Sequence, residues 1–333
     1  MQRHYSFIVP IYNRPEELQE LLESMARLSG EIPFEIVVVE DGSTEKSDAV
    51  VAEFPMLDIR YFFKPNSGPG DSRNFGMRKA TGDYFLILDS DVVLPNNYLQ
   101  EVEAFLDQKF VDCFGGPDAA GQNFTPIQKA INYAMTSFLT TGGIRGNKKM
   151  AKNFEPRSFN MGISKKAFEA TGGFGKIHPG EDPDLSIRIR EKGFETAFAP
   201  KVFVFHKRRI DWGKFYVQVN KFGKTRPILT AWHPGSGKLA FWFPSLFVLG
   251  LLGSVLLALF GFYYGLLLYG IYFLIIFIDA TTKNKCNIIG LLSVRAVLTQ
   301  FIGYGLGFLK ATFYIRVLKR DPKKVFPNLF FNS

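Results

Sequence analysis

The sequence predicts an α/β fold, a mostly parallel sheet with helices on both faces, followed by a C-terminal α-helical membrane region. Three observations predict it. Short apolar runs alternate with helix-spaced segments between Tyr5 and Leu88. Each run ends in a cluster of polar residues and glycine. From Leu239 onward the chain turns strongly apolar, and Phe241–Phe260 carries no charge over a length that crosses a ~30 Å hydrocarbon core. The 333 residues are too many for one ordinary core. The boundaries expected are an α/β domain over 1–210, a basic juxtamembrane linker over 211–238 and a membrane region over 239–333.

The elements follow in order. Tyr5–Ile11 is a short apolar run, read as a buried parallel strand. Glu16–Leu28 has helical spacing, with Pro15 as its start signal. Phe34–Val39 is the next strand and runs into Glu40-Asp41-Gly42-Ser43. Ser47–Phe54 suits a helix and Ile59–Phe63 a strand, followed by the glycine-rich Asn66-Ser67-Gly68-Pro69-Gly70. Ser72–Ala80 suits a helix, and Tyr84–Leu88 a strand ending in Asp89-Ser90-Asp91. In open α/β sheets ligands bind beyond the carboxyl ends of the strands. The clusters at Pro10–Arg14, Glu40–Thr44, Asn66–Asn74 and Asp89–Asp91 all lie at such ends. Further on, His178-Pro179-Gly180-Glu181-Asp182-Pro183-Asp184 opens a helix running to Lys192, with Asp182 read as its N-cap and Pro183 as its first residue. Val202–Phe205 is a strand ending at His206-Lys207-Arg208-Arg209.

Asp89 and Asp91 are spaced i, i+2. Strand alternation puts such a pair on one face, where two hard oxygen donors make a seat for Mg²⁺ or Mn²⁺ bound to a diphosphate. A D-x-D triplet is also an ordinary solvated turn, and its neighbours are what strengthen the metal reading.

The formal charge is +9. Between Lys201 and Lys238 stand nine Lys or Arg against one acid, Asp211. A basic block of this kind suits nucleic acid in principle. Here it sits directly before a spanning run, so the positive-inside rule accounts for it and places the N-terminal domain in the cytoplasm. Cys113 and Cys286 are the only cysteines, which gives no disulfide framework and no C-x-x-C site. No N-terminal signal peptide is read, since Met1–His4 leads straight into a strand.

Together the motifs resemble the family 2 glycosyltransferases with the GT-A fold, a nucleotide-diphospho-sugar transferase fold with a Rossmann-like, mostly parallel sheet. The matching stretches are Val9-Pro10-Ile11-Tyr12-Asn13, Val38-Val39-Glu40-Asp41-Gly42-Ser43, Gly68-Pro69-Gly70 with Arg73-Asn74-Phe75-Gly76, Asp89-Ser90-Asp91, Gly172-Gly173-Phe174, and Gly180-Glu181-Asp182 with Asp184-Leu185. The resemblance covers roughly residues 4–230. Glu40 stands where the family more often has Asp, and the carboxylate is kept. The resemblance implies transfer of a sugar from a nucleotide-diphosphate donor with inversion at the anomeric carbon.

It also implies roles residue by residue. Asp91 resembles the metal ligand, with Asp89 sharing the cation or approaching the ribose, and His206 as a third ligand or a plain surface histidine in a basic cluster. Asp182 resembles the general base, with Glu181 beside it as the alternative. Asp41 resembles the reader of the nucleobase, in a pocket lined by Pro10, Tyr12 and Glu40, where Tyr12 stacks on the base or packs on the core. Arg73, at a helix start after a glycine loop, suits the diphosphate. The implied cofactor is Mg²⁺ or Mn²⁺.

In the membrane region two strong spans are expected near 241–260 and 263–279. The third apolar stretch, 288–314, is interrupted by Arg295, Gln300 and Lys310 and followed by Arg316, Lys319, Arg320, Lys323 and Lys324. A full third crossing would put those cations outside, against the positive-inside rule, so an interfacial or re-entrant segment is preferred and three spans remain the alternative. Before the spans, Trp212, Phe215, Val219 and Phe222 recur at helical spacing, which reads as an amphipathic helix either on an anionic membrane surface or packed on the catalytic domain.

The function expected is an inverting transferase of the plasma (inner) membrane, acting at its cytoplasmic face. It takes a nucleotide-sugar donor and a lipid-linked or cell-surface glycan acceptor, contacts membrane lipids and binds no nucleic acid. Arg208, Arg209 and Arg226 are the candidates for an acceptor phosphate. The alternatives are a processive polysaccharide synthase, whose usual Q-x-x-R-W this chain lacks, a nucleotidyltransferase, and a non-catalytic membrane scaffold.

Overall fold

A computed structural model describes residues 3–120, 124–142, 154–206 and 211–331. The chain forms two compact units: Met1–Gly121 with Lys148–Lys207 and Phe330–Ser333, and Gln122–Asn147 with Arg208–Leu329. The described residues 124–142, placed within the 1–210 domain on sequence, group with the helical unit.

The first unit contains β1 (Tyr5–Ile11), α1 (Pro15–Ala26), β2 (Phe34–Asp41), α2 (Asp48–Ala52), β3 (Ile59–Lys64), α3 (Pro69–Lys79), β4 (Tyr84–Leu88), β5 (Val92–Val93), α4 (Tyr98–Gln108), β6 (Cys113–Gly115) and β7 (Asp118–Ala120). The second unit contributes α5 (Pro126–Thr136) and α6 (Phe138–Thr141). The chain then returns to the first with β8 (Asn160–Ser164), α7 (Lys165–Thr171), α8 (Glu181–Glu191), β9 (Thr196–Phe198) and β10 (Val204–His206).

A seven-stranded sheet runs in the order β3-β2-β1-β4-β8-β6-β9. Its first four strands are mutually parallel, and β8 is antiparallel to both its neighbours. The parallel strands are apolar runs because helices cover both faces. One face packs Phe7, Val9, Ile36, Val38, Leu86 and Leu88 against α1 and α4, and the other packs Ile8, Val37, Val39, Phe85 and Ile87 against α3, α7 and α8. A small sheet, β5-β10-β7, adjoins the end of β4.

The helical unit continues with α9 (Trp212–Trp232), α10 (Phe243–Leu259), α11 (Tyr264–Asn284) and α12 (Asn287–Thr312). Three helical stretches are long and apolar enough to cross a membrane by length and composition: Leu239–Leu259, Tyr264–Asn284 and Asn287–Val317. The second is longer than the sequence run suggested, because its last turns carry Asp279, Thr281 and Lys283. Asp279 is engaged by Lys283, 2.8 Å away, and by the Tyr133 hydroxyl at 2.6 Å.

Helices α10 and α11 form an antiparallel hairpin, with Tyr269 bonding the Phe247 carbonyl. Helix α12 starts beside the C-terminal end of α11, where Gly290 faces Thr281. It ends beside the N-terminal end of α10, where Trp242 and Phe308 lie 4.9 Å apart edge to face. Both ends of α12 thus lie at the same, open end of the hairpin. Along its length α12 packs on α9. Glycines make this approach close: a Cβ at Gly223 would meet the Tyr304 carbonyl at 2.1 Å, and one at Gly307 the Asn220 carbonyl at 2.4 Å. The stripe Phe215–Val219 is buried in that packing together with Ile131, Phe247 and Phe301. Neither option read from sequence for this stripe describes it, because α12 and α5 supply a protein surface within the helical unit itself.

Candidate active site

The polar clusters do assemble beyond the carboxyl ends of β1, β2 and β4, and the local geometry assigns them different tasks. At the end of β1, Asn13 takes a left-handed conformation (φ 52°). Its Oδ1 accepts from the backbone N–H groups of Thr44 and Glu45, which ties the β1 end to the loop after β2. Tyr12 is 51 % exposed, so it is not packed on the core and presents a free ring for stacking.

Glu40 is fully buried. It accepts from Ser43, from the Ser47 N–H at 2.9 Å and from the Tyr61 hydroxyl at 3.2 Å. That makes it the holder of the turn rather than a group open to a ligand. Asp41 is paired with Lys64 and accepts the N–H groups of Ser67 at 3.0 Å and Gly68 at 2.9 Å. Its carboxylate therefore pins the glycine-rich loop under the strand ends.

That loop starts α3. Gly68 is its N-cap at φ 94°, a conformation that costs other residues strain. An aromatic ring lies directly against it: a Cβ on Gly68 would sit 2.4 Å from Phe331. Phe331 also donates its N–H to the Lys176 carbonyl, its neighbour Phe330 bridges Ile177, and its ring lies 5.8 Å from His178. Phe331 thus spans the loop before α3 and the loop before α8. Nothing in the sequence marked it.

Arg73 is the hub. Its side chain is 5 % exposed, and it bridges Asp89 at 2.7 Å and Glu181 at 3.5 Å. The Phe174 ring stacks on its guanidinium at 5.3 Å, and its Nε is buried with no partner. The guanidinium read from sequence as open to a diphosphate is already engaged: the partly exposed Asp89 and the buried Glu181 take two of its nitrogens. Next to it, Asn74 bonds both the N–H and the carbonyl of Phe174, fixing Gly173-Phe174. Arg188, paired with Asp184 at 2.8 Å, holds the Thr171 and Gly173 carbonyls.

Helix α8 begins at Glu181 with Gly180 as its N-cap (φ 128°) and no side-chain cap. Asp182 is therefore not the cap expected from sequence. It stands in the first turn with Glu181 and Asp184, where the helix dipole favours acids. The two adjacent carboxylates then diverge. Burial opposes ionisation of Glu181, but the His178 hydrogen bond at 2.7 Å and the charges of His178 and Arg73 outweigh it and hold its pKa below the ordinary value. Burial and the charge of Glu181 push Asp182 up from 3.8 to about 6, against the opposing pull of Arg73 and Arg157. Asp182 Oδ1 is buried without a hydrogen-bond partner. His178, three residues before Glu181, was overlooked on sequence, although that spacing at a helix start was a readable signal.

The D-x-D pair lies past the end of β4, in a turn leading to β5, so strand alternation no longer governs it. Asp89 goes to Arg73, and Asp91 approaches Arg14 at 3.7 Å. β10 pairs antiparallel with β5 and sets the backbone of His206 opposite Val92, one residue from Asp91. Among the described residues no three His, Cys, Asp or Glu side chains group as a metal cage. The donor set still fits a hard cation, because Mg²⁺ and Mn²⁺ at a diphosphate take one or two carboxylates and complete their shell with phosphate and water. Arg208 and Arg209 lie outside the described residues. Arg226 lies in the helical unit, its guanidinium 4.6 Å over the Phe241 ring.

Comparison with known proteins supplies the family. The family model for glycosyl transferase family 2 matches residues 6–172. An uncharacterized glycosyltransferase of Rickettsia bellii is 37% identical over 58% of this chain and 29% of its own length. The poly(ribitol-phosphate) beta-N-acetylglucosaminyltransferase TarS of Staphylococcus aureus is 33% identical over 32% of this chain and 20% of its own. The chain thus spans under a third of the length of these curated relatives. Among solved structures, the mannosyltransferase PcManGT of Pyrobaculum calidifontis, in complex with GDP-Man and Mn²⁺, aligns with TM-score 0.60 at 16% identity over 93% of this chain and 87% of that one. S. aureus TarS 1–349 aligns at 0.51 with 20% identity over 68% and 64%. These structures and this chain share the GT-A fold, and the chain belongs to glycosyl transferase family 2.

Proposed function

We propose that this family 2 glycosyltransferase is an inverting enzyme of the membrane surface, moving one sugar from a nucleotide-diphosphate donor to a hydroxyl of a lipid-linked or cell-surface glycan acceptor. The observation that carries the reading is the split between Glu181 and Asp182. A single displacement needs one base, with a pKa near the working pH and an oxygen free for the incoming hydroxyl. Asp182 has both, while Glu181 is held ionised by His178 and Arg73. In the step, the acceptor oxygen attacks the anomeric carbon, its proton passes to the free oxygen of Asp182, and the bond to the diphosphate oxygen breaks. One base without a nucleophilic partner gives inversion.

Tyr12 offers a face to the nucleobase, and Asp41 supports the pocket by fixing Ser67 and Gly68. Arg73 sets the positions of Asp89 and Glu181, and its unpartnered Nε is the remaining donor for a donor-substrate oxygen. Asp91 and Asp89 would hold Mg²⁺ or Mn²⁺, which supplies charge stabilisation for the departing diphosphate. Names among the relatives support a nucleotide-sugar donor: PcManGT was solved with GDP-Man, and TarS 1–349 with UDP-GlcNAc.

The membrane half of the proposal rests on the helical unit. Two spans, α10 and α11, with α12 lying at the base of their hairpin, agree with both ends of α12 being at the open end of that hairpin. They also keep the cations near 201–238, 283–285 and 316–324 on one side, the cytoplasmic one by the positive-inside rule. The test is a screen of nucleotide-sugar donors for turnover and for thermal stabilisation with Mn²⁺. Asp91→Asn is expected to abolish the Mn²⁺-dependent part of the stabilisation, and unchanged metal dependence sinks that assignment. A well-folded chain that neither hydrolyses nor transfers any nucleotide sugar would leave the scaffold reading standing.

A further inference from the structure

The helical unit contains a cleft lined by none of the residues assigned above to the transfer reaction. It has a volume of about 270 Å³ and is lined by the C-terminal part of α9 (Pro227, Thr230), by Lys238, Leu239, Phe241 and Trp242 before α10, and by Phe308 and Arg316 from the region of α12. The volume is just below the ~300 Å³ at which pockets begin to enclose a whole drug-sized ligand, so it suits a head group.

Its charge is uncompensated. Neither Lys238 nor Arg316 forms an ion pair among the described residues. Between residues 211 and 331 the only acids are Asp211, Asp279 and Asp321. Asp211 caps α9 through Lys214, Asp279 is taken by Lys283 and Tyr133, and Asp321 caps the short helix after it through Lys323. The cleft is thus a cationic hollow with an aromatic floor, where Trp242 meets Phe308 edge to face.

The geometry points to a binding site for the phosphate of an anionic glycerophospholipid. Arg316 offers a planar fork to phosphate oxygens and Lys238 a point charge. Basic pockets between membrane helices on the cytoplasmic side hold lipid head groups in this way. The surroundings select a lipid over a soluble anion. Leu239, at the mouth, is 86 % exposed, and Leu246, Leu249, Leu252 and Leu256 continue as exposed apolar side chains along α10. A head group seated between Lys238 and Arg316 leaves its acyl chains at the start of that surface. By tying the end of α12 to the start of α10, the lipid would fasten the base of the hairpin.

The inference rests on the reading that the helical unit is embedded in a membrane, and the experiment keeps the two apart. The full chain is purified in a neutral maltoside detergent. Its thermal midpoint is titrated with dioleoyl-phosphatidylglycerol, dioleoyl-phosphatidylcholine and inorganic phosphate. Phosphatidylglycerol is expected to stabilise at concentrations at least tenfold below the other two. Each cation near a membrane surface is worth about fivefold in affinity, so K238Q with R316Q is expected to weaken the phosphatidylglycerol response about thirtyfold. K283Q with K285Q removes the same charge elsewhere and is expected to change it less than twofold. If the K238Q/R316Q protein does not fold, K238Q alone is expected to cost about fivefold and R316K to lose the advantage of the fork. Equal losses in the two double variants, equal responses to the two lipids, or reproduction of the effect by inorganic phosphate would overturn the lipid site. A chain recovered in the aqueous fraction without detergent would overturn the membrane reading instead.

Discussion

Asp182→Asn should make the protein more stable at neutral pH while destroying its activity. The carboxyl has its folded pKa raised from 3.8 to about 6, by burial first and by the charge of Glu181 second. A carboxyl with a raised pKa adds stability only while it is protonated. Its contribution is complete below 3.8 and is lost as the pH rises through 6. Above that window the folded state carries a penalty of about 3 kcal/mol, from 1.36 kcal/mol for each pH unit between the two values. The amide has the same shape and no charge to desolvate, so the variant escapes the penalty. A gain approaching 3 kcal/mol is expected at pH 7.5, and about half as much at pH 5. Turnover should fall by about 10²–10⁴, the usual worth of a general base. Thermal melts of wild type and variant across pH 5–8, read beside donor turnover at each pH, make the comparison. A variant less stable than wild type at pH 7.5, or a gain that does not change with pH, would refute the electrostatic reasoning. If Asp182→Asn is active and Glu181→Gln is dead, the base is the other carboxylate.

Arg73→Met should leave Asp89 and Glu181 without their shared cation and cost about 3–5 kcal/mol, the usual result of breaking a buried pair. It should also move the acidic limb of the pH–rate profile upward, because Arg73 lowers the pKa of Asp182; a limb that stays in place or falls argues against the hub. Gly68→Ala is expected to destabilise by about 1–3 kcal/mol from its positive φ alone, plus the clash with Phe331. Adding Phe331→Ala should relieve the clash and leave the φ strain, giving a favourable coupling above about 0.5 kcal/mol in a double-mutant cycle, and strict additivity would mean the ring does not seat there. For topology, a cytoplasm-only fluorescent reporter fused after Ser333 is expected to fluoresce, whereas alkaline phosphatase activity at that position would require three crossings.

The strands that carry the site were legible because parallel strands covered on both faces must be apolar throughout, as Tyr5–Ile11 and Tyr84–Leu88 are. The polar clusters at their ends were legible for the complementary reason, since a group that breaks such a run must lie outside the core. β8 was not legible as a strand. Its Asn160-Met161-Gly162 lacks an apolar pattern because Gly162 lies under Phe114, where a Cβ would come within 2.2 Å of the ring. Helix α5 did carry a signal that went unread, the capping box Thr125–Gln128. Its place in the helical unit depends on packing against α12, which no local pattern encodes. Within the site, the pairing of Arg73 with residues 16 and 108 positions away was out of reach for the same reason. The sequence brought these side chains forward as candidates but could not show which were open and which already held partners.

That distinction decides the chemistry. Three acids, Asp89, Glu181 and Asp182, stand near one buried guanidinium and do not share it equally. The fold settles the competition by geometry. Asp89 takes the short bond to Arg73. Glu181 takes what remains of that charge together with His178. Asp182, one residue further along the same helix turn, receives only the residual field and the full effect of burial. Neighbouring carboxylates whose pKa values are driven apart are how a site obtains one fixed charge and one proton acceptor from the same residue type. A sequence shows Glu-Asp as two equivalent candidates. The environment makes them unequal, and it does so through groups remote in sequence, which is why removing Arg73 should alter the pH behaviour of a residue it does not touch.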